Sequence, residues 1–263
     1  MNRRELLKAV PAFAVPAFAV LAAAASGLAE DTPPASNTRD PGKLPGPAQA
    51  GTTTSSPAVG LEPIALVKPK TDGGKSVLAS LLDRKTTRTI SDKQLPPQAL
   101  SDLLWAAFGV NRESGLAGRI GRTAASASNS QEIDIYVALP EGVYLYEAGL
   151  HRLSPVVAGD RRAKVGRGRR GSGAKAPVRL IYVADIAKYA KAQFQEPGLK
   201  DAEIQKSYYF VGTGLIAGNV YLFAASQGLA AWFHNCDKPG LTKDLNLRPE
   251  QRVLFAQTVG YPA

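Results

Sequence analysis

Between residues 84 and 90 the chain reads Arg84-Lys85-Thr86-Thr87-Arg88-Thr89-Ile90, which places three cations and three hydroxyls within seven residues. A phosphate monoester carries about −1.5 to −2 charge at neutral pH, and forked guanidinium donors beside neutral hydroxyls hold it best. A basic turn facing water has the same composition, so the segment alone leaves both readings open. A second reactive group is Trp232-Phe233-His234-Asn235-Cys236-Asp237. His234 could donate a proton, its ordinary pKa being about 6.5, or it could be a half-buried structural histidine beside a small buried thiol. The third group is the glycine-rich basic stretch with Arg161, Arg162, Lys164, Arg167, Arg169, Arg170 and Lys175, either a solvated loop or a clamp for an anionic partner. Few aromatics lie among these cations to stack bases, so no nucleic-acid partner is expected. Cys236 is the only cysteine, and His151 and His234 are the only histidines. An internal disulfide, a cysteine zinc site, an iron–sulfur cluster and a histidine-rich metal site are thereby excluded.

Two nucleotide-binding patterns fail on context. Gly166-Arg167-Gly168-Arg169-Arg170-Gly171 satisfies G-x-G-x-x-G, but no strand leads into it, and Ser172-Gly173 and Pro177 stand where a helix should follow. Gly74-Lys75-Ser76 has the end of a P-loop, but Pro69 occupies the position of its first glycine.

The elements that must position these groups are legible from periodicity. Ser76–Asp83 reads as a short helix and Pro97–Phe108 as a longer one, with Leu100, Leu103, Leu104, Ala107 and Phe108 on one face and Gly109 as its stop. Trp105 reads as core. Ile133–Leu139 and Val143–Tyr146 form a strand, turn and strand around Pro140-Glu141-Gly142, and Arg152–Val157 reads as a third strand. Val178–Ala184 is a strongly apolar strand. Asp201–Gln227 is a long helix, apolar nearly all round from Val211 to Ala225, and hence expected to be buried. Tyr208, Tyr209, Phe210, Tyr221 and Phe223 read as core at helical spacing rather than as a lid. Ala230–Phe233 and Val253–Val259 close the sheet, with a short helix at Leu241–Leu245. This irregular order predicts an α+β fold with a mixed or antiparallel sheet flanked by helices.

Of 263 residues, 44% are hydrophobic and 21% charged, ordinary globular values, with a net charge of +10. Residues 1–29 read as an export signal: Arg3, Arg4 and Lys8, then an apolar run from Ala9 to Ala25, then small residues to Ala29. Pro11 and Pro16 and the alanine-rich composition argue against a stable membrane anchor. Asn2-Arg3-Arg4-Glu5-Leu6-Leu7-Lys8 resembles a twin-arginine signal, which implies passage through export machinery to the periplasm or beyond in a folded state. Removal after Ala29 leaves about +8. Residues 30–75, rich in Pro, Thr, Ser, Gly and Ala, read as a tether, because so little apolar surface cannot offset the entropy of ordering. The folded domain is expected over 76–263.

The 84–90 cluster resembles the R-R-S-x-R segment of the nitroreductase family of flavin mononucleotide (FMN) enzymes. The likeness continues through Leu103–Arg112, then Arg122-Thr123-Ala124-Ala125-Ser126-Ala127-Ser128-Asn129 against R-T-A-P-S-A-x-N. It extends to Gly142–Tyr146, Ala158–Arg161, Gly218–Leu229 and Val259–Pro262, in the family's order, and is greatest toward the azoline-dehydrogenase-like branch. The resemblance implies an α+β sandwich that works as a homodimer with FMN at the interface, acting on a small-molecule substrate. By position, Arg84, Lys85, Thr86 and Arg88 would contact phosphate, ribityl and pyrimidine groups, Ser126 and Asn129 would line the cofactor, and Asn235 or Cys236 would present an N–H to flavin N5. Beside such an N–H, His234 could donate a proton to substrate. Lys85, Thr86, Ala125 and Gly218 depart from the commoner Arg, Ser, Pro and Gln. A basic pair that many relatives carry beyond the last strand has no counterpart before Ala263, and Arg122 or the 161–175 loop could supply that charge. NAD(P)H would be the donor inside a cell; for an exported enzyme a quinone, a small redox protein or the substrate itself stands beside it. A binding module that has lost FMN, and a polyanion-binding surface protein, are the rival readings.

Overall fold

Val178–Asp185 (β7) is buried at all eight positions, as an apolar run inside a sheet should be. It lies between Ile133–Ala138 (β4) and Gln251–Gly260 (β9) in a seven-stranded sheet, in a computed structural model that describes residues 60–114, 118–166 and 176–263. The expected signal over 1–29, the tether before residue 60 and the 167–175 part of the basic stretch lie outside the described residues.

The sheet is completed by Ile64–Ala65 (β1), Gly142–Glu147 (β5), Arg152–Ala158 (β6) and Ala230–His234 (β8), in the order β1-β6-β5-β4-β7-β9-β8. Every pairing between its strands is antiparallel. Val110–Arg112 (β2) and Gly121–Arg122 (β3) form a separate two-stranded ribbon. The helices are Val77–Asp83 (α1), Pro97–Phe108 (α2), Arg162–Val165 (α3), Ala202–Ser226 (α4) and Lys238–Asp244 (α5). This is the α+β class that the irregular order of elements predicts.

Alternation along β7 builds two cores, because successive side chains leave opposite faces. Leu180, Tyr182 and Ala184 join Leu103, Leu104, Ile216 and Val220 from α2 and α4. Ile181 and Val183 join Cys236, Leu241 and Leu245 below α5. Each such buried aliphatic or aromatic side chain contributes about 1.5–3 kcal/mol. Asp201 caps α4, its carboxylate accepting the Glu203 and Ile204 N–H groups, each at 2.9 Å.

Two expectations are corrected. The tether was to reach residue 75, but Ile64 and Ala65 pair with Leu153 and Arg152 of β6. Leu61 is buried, and Ile64 and Leu66 pack on the main core, so composition changes character at Leu61 and the chain joins the sheet there. His151 Nε2 and Ser101 Oγ both approach the Val67 carbonyl, at 3.1 and 2.5 Å. The second correction concerns α4. Its apolar middle, Val211–Ala225, was expected to be buried all round, and one face is: Gly212, Thr213, Ile216, Ala217, Val220 and Ala224 lie in the protein core. The opposite stripe is uncovered: Val211 is 61% and Leu215 45% exposed. On α1, Leu78 and Leu82 are 79% and 87% exposed.

Candidate functional site

The 84–90 segment leaves α1 through Arg84, whose N–H donates to Ser80 O at 2.8 Å. It then runs along the sheet edge. Thr87 N donates to Ala231 O at 3.0 Å, Ile90 bridges Pro262, and Ala263 N donates to Thr89 O at 3.2 Å. The backbone is therefore fixed while Arg84, Lys85 and Arg88 stay exposed, and among the described residues none of the three makes an ion pair. Tyr221 organises them. Its hydroxyl accepts the Phe233 N–H at 2.8 Å and lies 3.0 Å from Thr86 Oγ1, while the Arg84 guanidinium sits 5.6 Å from the ring centroid. Arg88 lies over Trp232 at 5.9 Å. A cleft of about 330 Å³ opens beside this array, lined by Lys85, Thr87, Tyr221, Gly228 and Ala231; its one acid, Asp83, is paired with Lys75 at 2.5 Å. Unpaired cations, hydroxyls and a cleft fit an anion with a polar tail. Reading Tyr221 as core missed its part: helical spacing registers the ring and is blind to where the hydroxyl points.

His234 lies one step along β8, on the face shared with Trp232, their ring centroids 4.5 Å apart. Nδ1 is 2.8 Å from Asn235 O, a pure acceptor, so Nδ1 donates; Nε2 then accepts from Thr258 Oγ1 at 2.9 Å. Burial, and secondarily Arg179, depress its pKa and keep the ring neutral. With both nitrogens engaged, His234 pins β8 to β9, and its one ring proton, on Nδ1, is given to the Asn235 carbonyl rather than presented to the cleft. Cys236 is buried, and its N–H donates to Asn235 Oδ1 at 3.0 Å, so that amide is already used. Asn235 stands exposed at the end of β8.

Ser126 and Asn129 lie elsewhere. β7 begins at Val178, opposite Val259 near the 84–90 segment, and reaches Ala184, opposite Ile133 just beyond the 126–131 loop. Six steps of about 3.3 Å separate these ends by ~20 Å. One chain therefore does not unite the two clusters. In the loop, Ser128, Asn129 and Gln131 have φ of +49°, +52° and +52°, left-handed backbone that costs about 1–3 kcal/mol at each non-glycine residue. Gln131 holds it: its N–H donates to Ser126 Oγ at 3.0 Å, its Nε2 to Asn129 Oδ1 at 3.1 Å, and its Oε1 accepts from Arg122 Nε at 2.7 Å. Asn129 Nδ2 donates to Gln193 Oε1 at 3.1 Å. Gln131 was invisible in the sequence, being one polar residue after a serine-rich run. Behind the loop, Glu132 is fully buried with Oε2 accepting from Ser130 Oγ at 2.7 Å, and burial raises its pKa.

Residues 81–261 match the nitroreductase family. The chain belongs to the nitroreductase family. A nitroreductase-like protein of Methanocaldococcus jannaschii is 27% identical over 157 residues, covering 57% of this chain and 73% of that protein. A solved nitroreductase-like structure from Ralstonia eutropha JMP134 is 34% identical, superposes with a TM-score of 0.68, and is covered over 93% of its length by 79% of this chain. The E. coli microcin synthetase McbBCD complex, solved with truncated pro-MccB17 bound, shares the fold at 18% identity and TM-score 0.55, covering 75% of this chain and 77% of that one. As a nitroreductase-family protein, the chain is a homologue of oxidoreductases. The antiparallel sheet and long α4 are that family's fold.

Proposed function

We propose that this chain is an exported, FMN-dependent oxidoreductase that works as a homodimer on a small organic substrate. The observation that carries the reading is the 84–90 segment: a set of cations and hydroxyls that resembles R-R-S-x-R, held by its backbone against β8, with no carboxylate of its own to neutralise it. FMN, when bound, supplies the redox chemistry, accepting two electrons as a hydride equivalent and passing them on.

The residues of the chain do the rest. Arg84, Lys85 and Arg88 supply positive charge for a phosphate tail; Thr86, fixed by Tyr221, offers a neutral donor beside them. Asn235, exposed at the end of β8, is the residue placed to offer polar contact to the ring, since the Cys236 amide is engaged. Ser126 and Asn129 belong to the second protomer's contribution, because a single chain keeps them ~20 Å away. The uncovered apolar stripes of α1 and α4 support dimerisation: large exposed apolar patches on a folded domain mark interaction sites. The donor is open among NAD(P)H, a quinone and a redox protein, and export through a twin-arginine signal favours the latter two.

The second reading, a binding module without catalysis, is favoured by His234, whose ring has no free nitrogen. One spectrum separates them. Purified protein should carry or take up FMN, with flavin absorbance that bleaches on reduction by dithionite and returns with an acceptor. A colourless protein that leaves the fluorescence of added FMN unquenched would overturn the proposal.

A further inference from the structure

We propose that the cleft between the 126–131 loop and the Ile186–Lys191 turn is an anion subsite that takes one phosphate or carboxylate group of a small molecule. The cleft measures about 370 Å³ and is lined by Arg119, Arg122, Lys188, Lys191, Asn129 and Gln131. Four cations thus converge on it. Asp134 is paired with Lys188 at 2.5 Å, which leaves Arg119, Arg122 and Lys191 to meet an anion; Glu132 is buried behind the loop, and Glu196 is approached by Ser128 Oγ at 3.4 Å.

What distinguishes this cleft from a solvated basic face is how its arginines are held. Arg122 is half-buried, yet the groups it contacts are neutral: Gln131 Oε1 at 2.7 Å, the Phe108 carbonyl at 3.2 Å and the Phe108 ring at 5.1 Å. Arg119 donates to the Lys191 carbonyl at 2.8 Å. Neutral acceptors orient a guanidinium without cancelling its charge. Withdrawing a cation from water in that way is costly unless an opposite charge meets it, and here no carboxylate pairs with Arg122 among the described residues. Burial lowers the Arg122 pKa, and Tyr146 and the more distant Asp134 act against that fall. The strained backbone at Ser128, Asn129 and Gln131 keeps Gln131 turned toward both Arg122 and Lys188, whose Nζ donates to Gln131 O at 3.2 Å. The loop thus presents charge rather than absorbing it.

Two sources could bring the anion: a substrate's own acid group, or the phosphate of a flavin reaching across the proposed dimer. The second part of the test rests on the flavin reading; the first does not. Pyrophosphate is titrated calorimetrically into the full chain carrying Arg84→Ala, Lys85→Ala and Arg88→Ala, so that the other basic segment offers it no cation. Binding should appear, fall steeply with added salt, and weaken at least tenfold when Arg119→Ala or Lys191→Ala is added, both being exposed side chains whose loss leaves the melting temperature in place. No binding, or equal binding by these variants, overturns the subsite whether or not the protein holds FMN. Arg119→Ala and Lys191→Ala in the otherwise unchanged chain then separate the sources. Weaker FMN with unchanged riboflavin assigns the anion to the cofactor. Unchanged FMN, with loss of a preference for 4-nitrobenzoate over 4-nitrobenzamide, assigns it to the substrate. If neither moves, the cleft serves no redox ligand and the proposal fails.

Discussion

The 84–90 segment and the 126–131 loop solve opposite problems. The first is ordinary extended backbone tied to β8 and the chain's last residues, with its cations exposed and unpaired. The second is left-handed backbone at three non-glycine residues, its polar side chains bonded to one another through Gln131. One waits for charge and is cheap to hold; the other is strained and spends its hydrogen bonds on holding its own shape. Substitutions in the first should therefore change ligand affinity with little effect on folding, and substitutions in the second should change both.

The largest effect is expected from Arg84→Ala with Lys85→Ala. Two charge-assisted contacts of about 1.5–3 kcal/mol each predict at least a hundredfold loss of FMN affinity, read by quenching of flavin fluorescence. Stability in urea should stay within ~0.5 kcal/mol. Equal affinity would detach these residues from the cofactor. Next comes Gln131→Ala, which frees Arg122 and Lys188 from the loop and leaves its strain unsupported; about 2–3 kcal/mol of stability should be lost in a urea titration. Tyr221→Phe is smaller. It leaves the Phe233 N–H without its acceptor, costing about 1–2 kcal/mol, and should loosen FMN only modestly.

The smallest effect is a matter of pH. Burial raises the Glu132 pKa above its ordinary 4.5, so the folded chain binds this proton more tightly than the unfolded chain does. Its contribution is complete below the ordinary value and is lost as pH rises through the folded one. Glu132→Gln should therefore flatten the decline in stability between the ordinary value and the folded one, and leave the slope below the ordinary value unchanged. A variant with the same pH slope as the parent would place the titration elsewhere.

Much of the fold could be read in advance because its elements are strongly periodic. Pro97–Phe108 is bounded by Pro96-Pro97 and Gly109, and α2 occupies that span. The apolar run at Val178 becomes an interior strand. β1 escaped because two residues of strand carry no period, and the β2–β3 ribbon because three- and two-residue strands carry little more. At the site, residue type revealed the cations of 84–88, since charge and hydroxyls cluster there in the sequence itself. Roles set by direction did not show: the Tyr221 hydroxyl, the Gln131 hub and the occupied Nε2 of His234 depend on partners 12 to 135 residues away or on backbone turned left-handed.

The central claim is that the segment of one protomer and the loop of the other make one FMN site, and complementation tests it most directly. One chain carries Arg84→Ala and Lys85→Ala, the other Ser126→Ala and Asn129→Ala; each alone should bind FMN poorly. After co-refolding or co-expression, every mixed dimer holds one intact site, so about a quarter of all sites should recover full affinity. A mixture that binds no more FMN than its two parents would contradict a shared site.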